Sequence, residues 1–101
     1  MDTFVIITPA EIEHQEYGVI QVDIIHTFRA ADVRDLAVEK LNKEWEHESF
    51  YSEDYGYLEE DDVERIIRRG EFEVLRVEDD EEVELSTDEL QLFYETLEEE
   101  G

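Results

Sequence analysis

The sequence predicts an α+β domain: a small antiparallel β-sheet with helices packed on one face, in the order ββ-αα-ββ-α. Three observations lead there. Short apolar runs rich in β-branched residues open the chain and recur in its second half. Between these runs, and again at the C-terminus, the apolar residues switch to helical spacing. Hydrophobic residues make up 41% of the 101, with 11% aromatic, and this supplies a core that acidic disordered chains lack. The length suits one domain over residues 1–101, with no linker or internal repeat evident.

The elements follow in order. "TFVIIT" (3–8) is a buried strand that stops at Pro9, and "IEHQEYG" (12–18) is a turn. "YGVIQVDIIHTF" (17–28) is the second strand, with Ile20, Val22, Ile24 and Phe28 on one face. The two runs pair as an antiparallel hairpin. In "RAADVRDLAVEKLNKEWE" (29–46), Val33, Leu36, Ala37, Leu41 and Trp45 form one helical stripe, capped by Asp32 or Thr27. "HESFYSEDYGY" (47–57) reads as a loop. "LEEDDVERIIRRG" (58–70) reads as a short second helix, with acids in its first turn, Arg68 and Arg69 in its last, and Gly70 as its cap. "EFEVLRV" (71–77) is a third strand, "EDDEE" (78–82) a turn and "VEL" (83–85) a fourth strand. Ser86 and Glu89 form an S-x-x-E capping box before a last helix with the stripe Leu90, Phe93, Tyr94 and Leu97.

Charge dominates the functional reading. Thirty-two acids against eight bases give a net charge of −24. Residues 1–57 carry −9 and residues 58–101 carry −15, so the acidity is not a tail. Such a field repels nucleic acid and anionic membranes and draws in cationic partners. Direct nucleic-acid binding fails on sign, because phosphates must be neutralised by Lys and Arg. The absence of cysteine excludes disulfides and thiol chemistry. The N-terminus lacks the basic region of a signal peptide, and no apolar run approaches the ~20 residues of a membrane span. A cytoplasmic location is expected.

No catalytic motif is found, and the expectation is a protein that is not an enzyme and needs no cofactor. His14, His26 and His47 are far apart in sequence. "HESFY" (47–51) begins like a zinc-protease H-E-x-x-H but has Tyr51 in place of the second histidine. "EDDEE" lacks the alternating ligands and the glycine of a calcium loop. Carboxylate pairs suited to glycoside chemistry abound, but so short a chain leaves little room for a cleft beside a core.

The acids themselves are the candidate site. A DNA duplex presents about one negative charge per ~1.7 Å of its axis, and a small domain studded with carboxylates resembles it. The natural partner is a protein with a cationic groove for nucleic acid. The candidate contact residues are Glu59, Glu60, Asp61, Asp62 and Glu64 on the second helix, and Glu78, Asp79, Asp80, Glu81 and Glu82 at the hairpin, with Glu84, Asp88, Glu89, Glu95, Glu98, Glu99 and Glu100 after them. Tyr55 and Tyr57 are the exposed aromatic anchors, since hot spots favour aromatic residues over charge alone.

A compact, cysteine-free, acidic chain near 100 residues with ββα organisation resembles the small phage-encoded anti-defence proteins, DNA-mimic anti-restriction and anti-CRISPR proteins among them. The passage "VIQVDIIHTFRAADVRDLAVEKL" (19–41) is similar in pattern to the N-terminal half of some small anti-CRISPRs. The resemblance implies inhibition of a CRISPR effector or restriction enzyme in the host cytoplasm by occupation of its nucleic-acid site. Two other readings use the same acids. A domain adapted to high salt needs them for solubility, and the two lysines fit that. An acidic adaptor or antitoxin would use them to cap a basic protein.

Overall fold

The computed structural model describes residues 1–42 and 49–100. It is α+β, with seven strands and two helices among these residues. The strands are β1 (Asp2–His14), β2 (Gly18–Ala30), β3 (Ser49–Ser52), β4 (Gly56–Leu58), β5 (Val63–Arg69), β6 (Glu73–Glu78) and β7 (Glu81–Glu84). The helices are α1 (Val33–Asn42), after β2, and α2 (Thr87–Glu100), after β7. The sheet order is β4-β3-β2-β1-β6-β7, with β5 also paired to β1. By their contacts the residues gather into two compact units.

One unit holds Asp2–Val5 of β1, Thr27–Ala30 of β2, α1, β6 from Val74, β7 and α2. Helices α1 and α2 pack against each other. Phe4, Phe28, Val33, Leu36, Ala37, Val74 and Phe93 are buried here; of the predicted helical stripes Leu90 and Leu97 are half-buried, and Leu41 and Tyr94 are exposed instead. Helix α1 is shorter than predicted at its start, because Arg29 and Ala30 continue β2. Thr27 is likewise a strand residue, and Asp32 is the cap: its Oδ1 accepts the Asp35 amide at 2.9 Å. Asp35 reaches back to the Ala31 amide at 3.1 Å, a reciprocal arrangement with Asp in the third helical position. Trp45 and His47 lie outside the described residues. The capping box of α2 forms as predicted, with the Glu89 amide donating to Ser86 Oγ at 3.2 Å and the Ser86 amide to Glu89 Oε1 at 3.4 Å.

The other unit holds Ile6–His14 of β1, Gly18–His26 of β2, β3, β4 and β5. Along β1 and β2 the even-numbered residues are buried from Phe4 to His14 and from Val22 to Ala30, the period of two expected of half-buried strands. The unit's core is Ala10, Ile12, Val22, Ile24 and Phe50, with Ile20, Leu58, Val63 and Ile66 packed against it. Strand β1 does not stop at Pro9 but continues to His14. Pro9 is exposed, and its carbonyl accepts the Gly70 amide at 2.7 Å.

Two predicted elements are overturned. Residues 58–70 are not a helix. Glu60–Asp62 form a single 3-10 turn, and Val63–Arg69 form β5, antiparallel to β1. The register sets Arg65 opposite Glu13 and Arg68 opposite Glu11. The pairs close at 2.7 Å and 3.9 Å. Here the arginines are cross-strand partners of acids and not charges on a helix end, and Gly70 caps no helix. Main-chain pairing with β1, β-branched Val63, Ile66 and Ile67, and the opposed charges outweigh a local helical pattern. The predicted loop 47–57 also contains structure, since β3 and β4 form a hairpin in which Tyr51 faces Tyr57.

Candidate functional site

The second unit ends in two turns built alike. The first follows β1 with the sequence "HQEYG" (14–18), and the second follows β3 with "SEDYG" (52–56). In each, a buried polar side chain at the first position accepts two main-chain amides. His14 Nδ1 takes those of Glu16 and Tyr17 at 3.0 and 3.1 Å. Ser52 Oγ takes those of Asp54 and Tyr55, both at 3.2 Å. Each turn ends on a glycine in the left-handed region, Gly18 at φ +76° and Gly56 at φ +77°. A residue with Cβ is disfavoured in that conformation. The sequence therefore does contain a short repeat, one that becomes visible only when the two hairpins are known.

The repeat brings the two tyrosines together. Tyr17 and Tyr55 stack at 3.9 Å between ring centroids and 5° between planes. On its other side Tyr17 stacks on His14 at 4.5 Å. The first turn is also tied to the 3-10 turn, where the Gln15 amide donates to the Asp62 carbonyl at 2.8 Å. Three acidic segments thus meet at this end: Glu16, then Glu53 and Asp54, then Glu60, Asp61 and Asp62. Tyr17 and Tyr55 remain 41% and 48% exposed among them. Sequence reasoning singled out Tyr55 and the 59–62 acids but missed Tyr17, Glu16, Glu53 and Asp54. The shared Y-G endings at 17–18 and 55–56 were the available clue.

Beside this end lies an open groove of about 850 Å³ on the outer face of the sheet, opposite the core residues. Glu11, Asp23, Tyr51, Glu53, Asp54 and Tyr55 line it, with Val19 and Arg68. The pairing of Asp23 with Tyr51, and of Tyr51 with Tyr57, puts these three side chains in one row on that face. Tyr51 meets Tyr57 edge-on at 5.0 Å, and Tyr57 is 73% exposed.

The remaining predicted acids fall on other elements. Glu59 precedes the 3-10 turn, and Glu64 is an exposed residue of β5. Neither they nor Glu60, Asp61 and Asp62 lie on a helix face as the sequence suggested; they follow a turn and a strand. Glu78, Asp79, Asp80, Glu81 and Glu82 belong to the first unit, at the β6–β7 hairpin. Glu78 is paired directly with Glu81, and the loop between them is Asp79–Asp80, with φ of +50° and +65°. Two successive residues at positive φ are the arrangement that type I′ hairpins reserve for Asn-Gly. All five acids are exposed.

Arg65, Arg68 and Arg76 pair with acids of the same chain. Arg65 and Arg68 pair with β1 as described. Arg76 lies over the Phe4 ring at 5.3 Å, pairs with Asp2 at 3.8 Å and grips Glu89 through both guanidinium nitrogens. The hydrogen bonds from Arg76 hold the Glu89 carboxyl below its ordinary range, and the same contacts raise Arg76 further. These cations serve the fold and neutralise acids of the sheet and helix. No group of three or more metal-ligating side chains is found among the described residues, and no described helix is long and apolar enough to cross a membrane. The chain matches no protein family, no curated protein and no solved structure.

Proposed function

We propose that the protein is an inhibitor that binds a cationic, nucleic-acid-processing protein of a host defence system and occupies its nucleic-acid site. A CRISPR effector or a restriction enzyme is the class of target. The acids stand in for phosphates, and the tyrosines anchor the contact. One observation carries this reading over a coat of solubilising charge. The acids of the twin turns share those turns with two exposed, mutually stacked aromatic rings, Tyr17 and Tyr55. A coat that serves only hydration has no use for exposed rings, whereas interfaces are enriched in them.

The test is competition. The purified chain is added to a purified effector or restriction enzyme carrying labelled duplex DNA. The expected result is displacement of the DNA at low salt, weakening as salt rises from ~50 to ~500 mM because screening removes long-range attraction. No displacement across a panel of such enzymes, together with folding that requires molar salt, would replace this reading with the solubility coat.

A further inference from the structure

We infer that the outer-face groove beside the twin turns is the seat of an arginine-bearing segment of the partner protein. This rests on the reading above and names the contact within it. The groove lining contains four carboxylates, Glu11, Asp23, Glu53 and Asp54, against one guanidinium, Arg68. Arg68 is itself directed to Glu11 at 3.9 Å. The acidic excess therefore falls on Asp23, Glu53 and Asp54, at the end of the lining that also holds Tyr51, paired with Asp23, and Tyr55.

That end offers what a guanidinium takes and an ammonium uses less well. Carboxylates accept two parallel N–H donors from the planar fork, and aromatic rings stack on its face. The cavity volume suits a few side chains of a bound peptide and is within the range of ordinary ligand sites. Val19, 60% exposed at the groove wall, gives the aliphatic stem of the arginine an apolar surface. The β6–β7 hairpin offers no comparable seat: its tip is five consecutive acids with no ring among them.

The full-length chain, labelled with nitrogen-15, is titrated with three eight-residue peptides in which glycine alternates with arginine, lysine or citrulline. Amide shifts are expected at residues 19–23 and 51–57. The arginine peptide should bind about 3-fold or more tighter than the lysine peptide, with the neutral citrulline peptide weaker still. Tyr51→Ala should weaken the arginine peptide by about 5-fold. Tyr51 is half-buried, so the surface variant Glu53→Gln/Asp54→Asn provides a second reading that leaves the packing alone, with a loss of about 10-fold. Glu71→Gln/Glu73→Gln removes the same charge outside the groove and should change affinity by less than about 2-fold. Shifts centred on residues 78–82, or spread over all acidic segments, or equal affinity for lysine and arginine, would overturn the groove and leave the acidic-inhibitor reading standing. No binding of either cationic peptide at ~50 mM salt would likewise overturn the groove, while the inhibitor reading falls only with the DNA competition.

Discussion

Replacing Asp79–Asp80 by Asn-Gly should make the protein more stable while weakening it as an inhibitor. Both aspartates sit at positive φ, +50° and +65°, in a two-residue loop. An L-residue there costs about 1–2 kcal/mol, with Asp toward the low end, and Gly removes most of that. Charge adds a second term. Glu78 and Glu81 are opposite each other, and Glu82 follows. Two unit charges about 5.5 Å apart in water repel by roughly 0.7 kcal/mol before screening. Neutralising the two loop residues relieves several such contacts, together about 1 kcal/mol at ~20 mM salt. The expected gain is therefore about 2 kcal/mol at low salt and about 1 kcal/mol at ~0.5 M, where only the conformational part survives. In urea, with a slope of about 1–2 kcal/mol/M for a chain this small, the midpoint should rise by about 1–2 M at low salt. An unchanged or lowered midpoint would refute the backbone argument. A gain independent of salt would refute the electrostatic one. In the competition assay the same variant should require more protein to displace DNA, because two of the phosphate-like charges are gone.

Glu89→Gln should destabilise the first unit by about 1–2 kcal/mol at neutral pH, discounted for the 30% exposure of its side chain. The folded state holds this carboxyl below its unfolded value, so its contribution is present above the carboxylate range and lost as pH falls through it; the gap between wild type and variant in urea should close on acidification. Gly18→Ala and Gly56→Ala should each cost about 1–2 kcal/mol from backbone strain, since nothing lies within 4 Å of an added Cβ. Thermal midpoints would fall by about 4–8 °C per kcal/mol, and unchanged midpoints would contradict the left-handed turns. Ile24→Ala, in the fully buried centre of the second unit, should cost about 2–5 kcal/mol; a loss below ~1 kcal/mol in urea would show that the core is loosely packed.

Elements whose information is local were legible in the sequence. Strand β2 shows its alternation from Ile20 to Phe28, and α2 announces itself by Ser86 and Glu89 before an apolar stripe. The hairpin turn was located within "EDDEE", although its two-residue loop and positive φ values were not. What failed was the element whose stability is not local. Val63, Ile66 and Ile67 have the spacing of a helix, and the flanking charges suit a helix dipole. Main-chain pairing with β1, and the placement of Glu11 and Glu13 on it opposite Arg68 and Arg65, are not visible from residues 58–70 alone. Strands β3 and β4 were hidden by shortness, at four and three residues. "SFYS" does alternate, with Phe50 facing the core and Tyr51 the groove, but one cycle cannot be told from a loop. The candidate site was half legible for the same reason. Its acids and Tyr55 could be named, while the approach of residue 17 to residue 55 required the topology.

The distribution of charge also answers why such acidity is tolerated. Some acids of the sheet and of the α2 capping box are met by arginines: Glu11 and Glu13 by β5, Asp2 and Glu89 by Arg76. Many of the other acids, at the turns, at the hairpin tip and along α2, are exposed, where water screens them and repulsion costs least. Acids without rings, as at the β6–β7 tip, can attract a cationic surface and quicken encounter but hold it weakly. Acids beside rings, as at the twin turns, can also exclude water and retain what they attract. On the proposed function the two units then contribute differently. The hairpin sets how fast and how salt-dependently the partner arrives, and the groove sets how long it stays.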